Sequence, residues 1–254
     1  MRFSKWHALG NSYIVVEQPD AGTMTPERVR RLCAPTTGIG SDGVLEVLAR
    51  EGGRAEIVIW NPDGSIAEMS GNGVRIAACW LAAEARRREV VIVTAGRELA
   101  ARMLDGLEAE TDVGPVTVGV PEMLDVGEAL EFTAASVGNP HAVIRLEAPT
   151  RGDLLRLGPL VESHPRFPER TNVQLVRVDG RHDVTVLVWE RGAGETSASG
   201  SSSVAAAAVA VARGWCESPV TVHLPGGDLH VRLAGGSASL VGPAEEVARG
   251  STSL

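Results

Sequence analysis

"ETSASGSSSVAAAAVAVARG" (195–214) decides how this chain folds. From Val204 to Ala212 every residue is alanine or valine. A helix of that composition is apolar on every side, so it belongs inside a core and not on a surface. It is too short to cross a bilayer, which takes about 20 such residues. At its head stand Ser199 and Gly200. Serine is a preferred helix cap, and glycine lets a backbone come close to a ligand.

The same design occurs upstream as "EMSGNGVRIAACWLAAEARRR" (68–88), with Ser70 matching Ser199. Strand-like "EIVIWNPDG" (56–64) precedes one copy and "VTVLVWERG" (184–192) the other. Trp60 and Trp189 each stand ten residues before their serine. Gly43 falls opposite Asn172 at the same offset as the two serines, and Gly10-Asn11 returns as Gly138-Asn139 at an offset shorter by one. Landmarks in one register mark an internal duplication. The joint is the Gly/Pro-punctuated "VGPVTVGVP" (113–121).

Short apolar segments surround both helices. "YIVVEQ", "EIVIW", "EVVIVTA" and "PVTVGV" read as strands of the first half; "HAVIRLE", "NVQLVRV", "DVTVLVW", "VTVHLP" and "LHVRLA" read as strands of the second. The expected fold is α+β. It has two pseudo-symmetric domains, each a curled, mostly antiparallel sheet around a central apolar helix.

Composition narrows the function. The 254 residues carry a net charge of −8 with 44% hydrophobic and 4% aromatic residues. That balance argues against nucleic-acid binding, which favours a basic face. "MRFSKWHALG" has no signal-peptide core, so a soluble cytoplasmic protein with no membrane partner is expected. Cys33, Cys79 and Cys216 lack metal or redox spacing and read as buried thiols. Lys5 is the only lysine and has no phosphate loop beside it, which disfavours a pyridoxal Schiff base. The six histidines show no ligand spacing, so neither metal nor cofactor is expected. "GIGSDG" (38–43) fits a dinucleotide fingerprint literally, but a helix-like stretch precedes it where that fingerprint needs a strand. It reads as a glycine-rich turn.

Helix N-termini offer unpaired N–H groups and partial positive charge. "SGNG" and "SGSS" therefore suit a carboxylate or phosphate. Two such heads facing one small anion would also supply one serine from each side. That geometry suits moving a proton from one face of a carbon to the other. The same spacing equally fits two ordinary serine caps.

"KWHALGNSYIVVE" (5–17), "TGIGSDGV" (37–44), "NPDGSIAEMSGNGVR" (61–75), "GNPHAV" (138–143), "ERTNVQLV" (169–176) and "ERGAGETSASG" (190–200) together resemble the diaminopimelate epimerase family. They follow the family's order and span most of the chain. The resemblance implies a cofactor-independent epimerase of LL- and meso-diaminopimelate in lysine and cell-wall synthesis, usually a homodimer. "LVGPAEEVARG" (240–250) resembles the family's returning last strand. The implied domains are 1–117 completed by 244–254, and 118–243, with the active site at their interface. Asn11, Asn61, Asn139 and Asn172 match substrate-binding asparagines. Glu190 and Arg191 match the pair that reads the distal end of the substrate. Gly71-Asn72 and Gly200-Ser201 match the backbone cradles for the reacting carboxylate. His141 and Glu190 match the pair that tunes the acid/base groups.

The family's two acid/base residues are cysteines, and here both positions are serine, Ser70 and Ser199. A thiol titrates near ~8.5 and an unassisted hydroxyl far above it, a gap worth ~10 kcal/mol. Serine therefore needs a strong partner to act as a base. Three outcomes stand open: an epimerase with assisted serines, a diaminopimelate-binding protein without turnover, or a related isomerase or dehydratase.

Overall fold

The strands of this chain wrap two buried helices. The computed structural model describes residues 1–104 and 107–254. The chain divides into two units, Met1–Asp112 with Gly242–Leu254, and Val113–Val241.

In the first unit, helix α1 spans Pro26–Cys33 and helix α2 spans Gly71–Ala85. Ser70 precedes α2 in extended conformation, and its Oγ accepts the Gly73 N–H at 3.0 Å. The helix stops at Arg86, which is left-handed and donates its N–H to Ala82 O. Asn72 to Ala82 are buried throughout, as an all-round apolar surface requires. The wrapping strands include Arg2–Ala8, Asn11–Glu17, Val44–Glu51, Arg54–Trp60, Glu89–Thr94, Arg97–Met103 and Glu245–Ser251. Neighbours pair antiparallel, except Asn11–Glu17 with Val44–Glu51 and Arg54–Trp60 with Glu89–Thr94. Trp6, Leu45, Ile57, Ile76, Trp80 and Ile92 fill the space between sheet and helix. On the other face, Val29 and Leu32 of α1 cover Ile14, Val16 and Val44. The fully buried Arg75 joins the chain's end to α2: its Nε donates to Pro243 O and its Nη2 to Asn72 Oδ1, both at 3.0 Å.

In the second unit, helix α3 spans Arg151–Glu162 and helix α4 spans Gly200–Ala212. Alanine and valine let the strands close in on α4 from all sides, and Ser202 to Ala210 are buried. Its sheet includes Thr117–Asp125, Ala129–Ser136, Pro140–Arg145, Asn172–Gly180, Asp183–Glu190, Val220–Leu224 and Gly227–Ala234. Pairing is again antiparallel except Pro140–Arg145 with Asn172–Gly180 and Asp183–Glu190 with Val220–Leu224. One strand assignment changes. "PVTVGV" reads with the first half by sequence, yet Thr117–Asp125 pairs with Ala129–Ser136 and lies in the second unit. Its apolar residues are the same in either setting; only the partner strand decides.

Both repeat tryptophans donate to a buried carboxylate, Trp60 Nε1 to Glu46 at 2.9 Å and Trp189 Nε1 to Glu162 at 2.8 Å. The acceptors are not equivalent, since Glu46 lies on a strand and Glu162 ends α3. Gly158 of α3 lies under the Trp189 ring, where a Cβ would come within 2.7 Å of Cγ and Cδ2. Gly158→Ala therefore lowers stability by about 1–3 kcal/mol through overpacking. Urea unfolding checks this, and an unchanged midpoint would show that the ring is free to move aside.

Candidate functional site

Each unit carries a cluster of candidate side chains at the head of its buried helix. In the first, Ser70 Oγ both caps α2 and lies 3.0 Å from the Tyr13 hydroxyl. Tyr13 is 5% exposed and extends from the strand Asn11–Glu17. Asn72 Nδ2 donates to Asn11 Oδ1 at 3.2 Å, so two of the asparagines singled out by sequence meet beside Gly71 and the helix head. The Arg75 guanidinium orients Asn72 from behind through its Oδ1. Asn61 is placed differently. Its side chain closes its own turn, with Nδ2 on Ser65 Oγ at 2.9 Å.

The cluster in the second unit is built otherwise. Ser199 is 4% exposed and has the same extended backbone as Ser70, but its side chain makes no cap bond among the described residues. Its hydroxyl instead donates to the Glu190 carboxylate, which also accepts from Thr196 Oγ1 at 3.0 Å. Burial pushes the Glu190 carboxyl above its ordinary range, and the two hydroxyl donors pull it part of the way back. A carboxylate with a raised pKa is better matched to receiving a proton near neutrality. The Ser202 amide, the counterpart of Gly73, thus takes no bond from the Ser199 side chain.

His141 is 1% exposed, and both ring nitrogens are engaged. Nε2 lies 2.9 Å from Asn139 Oδ1, and Nδ1 lies 3.0 Å from Gln174 Nε2. An amide nitrogen only donates, so Nδ1 accepts and Nε2–H donates to Asn139. Burial, then the nearby Arg191 charge, pull the imidazole down to about 3, so it is neutral at physiological pH. In this arrangement His141 orients Asn139. Gln174 carries the network on to Ser202 Oγ in the first turn of α4. Asn172 Oδ1 accepts the Arg191 backbone N–H at 3.0 Å, and its Nδ2 donates to Pro140 O at 2.9 Å. This fixes the start of the turn after Glu190. The Arg191 side chain is exposed and reaches Glu169 O at 3.2 Å.

The remaining sequence features fall outside this chemistry. Cys33, Cys79 and Cys216 are buried and unbonded to one another. Burial raises the Cys79 thiol to about 11, despite Arg75 nearby. "GIGSDG" runs from the end of α1 into the strand Val44–Glu51, a turn with a helix before it. No group of three or more metal-binding side chains occurs among the described residues. Sequence reading missed Tyr13, Gln174 and Thr196. Of these only Tyr13 had a usable signal, as the chain's single tyrosine.

In each unit curled strands surround an apolar helix that opens on a serine–glycine turn. A solved structure described as a predicted epimerase from Pseudomonas aeruginosa has the same fold, with TM-score 0.78 at 20% identity, over 100% of this chain and 99% of that one. The family model for diaminopimelate epimerase matches residues 3–119 and 133–247. Diaminopimelate epimerase 2 of Nostoc sp. is 39% identical, over 92% of this chain and 88% of that protein. The diaminopimelate epimerase of Moorella thermoacetica is 38% identical, over 98% of each. The chain belongs to the diaminopimelate epimerase family, whose members are cofactor-independent amino-acid epimerases.

Proposed function

We propose that this chain interconverts LL- and meso-diaminopimelate, or a close analogue, by removing the α-proton on one face and returning one on the other. Ser70 and Ser199 are the two groups that exchange protons with the α-carbon. The amides at Gly71-Asn72 and Gly200-Ser201 hold the reacting carboxylate. Asn11, Asn61, Asn139 and Asn172 line the substrate, and Glu190 with Arg191 reads its distal end. The working form is a cytoplasmic homodimer, as the family resemblance implies.

One observation carries this reading: the Ser199 hydroxyl is withdrawn from capping its helix and given to Glu190. A serine kept only as a cap would bond its own first turn, as Ser70 does. Incubation of the pure chain with LL-diaminopimelate in deuterated water provides the test. The expected result is deuterium at the α-carbon together with formation of the meso isomer. Tight binding without label uptake overturns the epimerase and leaves the binding protein.

A further inference from the structure

Ser199 has a carboxylate to take its proton, and Ser70 has the chain's one tyrosine. The Tyr13 hydroxyl lies 3.0 Å from Ser70 Oγ. The ring is held there by its surroundings. Ile14 pairs with Val44 in the parallel ladder, and Ile14 N donates to Gly43 O at 3.1 Å, which sets Gly43 beside Tyr13. A Cβ at Gly43 would come within 2.5 Å of Tyr13 Cε1 and 2.9 Å of Cδ1. Glycine at 43 is therefore what admits the ring.

The duplication shows how this pair relates to the other half. Tyr13 and His141 stand as far apart along the chain as the two Gly-Asn pairs do. Gly43 and Asn172 share the spacing of the two serines, and Asn172 pairs with His141 as Gly43 neighbours Tyr13. Each half thus places one titratable ring at the same point of its fold. In the second half that ring is bonded at both nitrogens to Asn139 and Gln174. In the first half it meets the serine itself.

We propose that Tyr13 is the proton-relay partner of Ser70. The inference rests on the epimerase reading above. In the forward step the substrate Cα–H bond breaks and its electron pair stays on carbon. The proton forms a new O–H bond at Ser70 Oγ. The former Ser70 proton leaves to the Tyr13 phenolate oxygen. A phenolate and a C–H bond become a phenol and a carbanion, and the reverse flow returns a proton to carbon. The Gly73 N–H, already on Ser70 Oγ, and the α2 N-terminus steady the charge that passes through that oxygen. An ordinary phenol titrates near ~10, close to a thiol at ~8.5, whereas an unassisted hydroxyl titrates far above both. The relay therefore removes most of the disadvantage of serine at this position.

The experiment follows α-deuterium exchange of LL- and meso-diaminopimelate from pH 6 to 11 in the full chain, in Tyr13→Phe, and in Tyr13→Phe combined with Ser70→Cys. Tyr13→Phe keeps the ring and loses only the hydroxyl. Its exchange is expected to fall by about 10²–10³-fold, the lower part of what a positioned acid/base group supplies. The rise in wild-type rate toward alkaline pH is expected to disappear with it. Adding Ser70→Cys restores exchange, because a thiol needs no relay. A Tyr13→Phe chain with the wild-type rate and pH profile overturns the relay alone. So does a loss that Ser70→Cys does not recover, since that marks a structural role. A wild-type chain that never exchanges the α-proton sinks the epimerase reading and the relay together.

Discussion

Ser199→Ala is expected to slow α-proton exchange by about 10³–10⁴-fold while leaving the fold intact, at the upper end of what a positioned acid/base group supplies. Ser199 does not cap α4, so its hydroxyl contributes little to helix stability. Ser70→Ala is expected to lose activity on the same scale, but it also removes the bond to Gly73 N–H. Loss of such a cap costs about 1 kcal/mol. Ser199→Ala in turn takes a donor from the buried Glu190 carboxylate, at about 1–3 kcal/mol, so both variants are expected to unfold at lower urea than wild type while matching in exchange rate. The double variant is expected to be no slower than the slower single one, because both groups serve one turnover and their effects do not add. Substrate binding changes little, since Arg191, Glu190 and the helix heads remain. Kinetics in both directions and calorimetric binding check these outcomes. An active Ser199→Ala chain would show that proton transfer runs elsewhere.

Acid is expected to destabilise this protein through His141. Its folded pKa is about 3 against an ordinary 6.5, set by burial and then by Arg191. The unfolded chain therefore binds a proton at pH values where the folded chain does not. Stability from this group is complete above pH ~6.5 and declines as the pH falls from there toward ~3, by about 1.4 kcal/mol per pH unit. His141→Gln keeps a side chain able to bond Asn139 and Gln174 but does not titrate. The variant is less stable than wild type at pH 7, and the gap closes by about 3 kcal/mol between pH 6.5 and 4. Urea unfolding at intervals across that window measures the closing. A constant gap would show that the imidazole is already charged inside the fold.

Much of the architecture was legible because its causes are local. The unbroken alanine–valine run from Val204 to Ala212 cannot face water on any side, so α4 had to be buried, and strands had to bury it. The second copy, headed by Ser70, repeated the requirement. Serine, glycine and a small-residue run marked both helix heads to within a residue. "PVTVGV" was legible as a strand but not as to its partner, because alternation reports a buried face and says nothing of what lies alongside.

The site was legible as a set of positions and not as a network. By sequence Ser70 and Ser199 are equivalent, with the same turn, the same glycine and the same register. Only the folded chain distinguishes them. One hydroxyl caps its helix and meets a tyrosine far away in sequence; the other turns from its helix to a glutamate at the end of the strand Asp183–Glu190. His141 likewise matched a group that tunes proton transfer, yet two amides close both of its nitrogens. The amino-acid sequence determined the duplication, the two buried helices and the family, since composition and period act over a few residues. Tertiary structure decided which groups each serine hydroxyl lies against. A hydrogen bond depends on angles and tenths of an ångström between groups that only the sheet brings together.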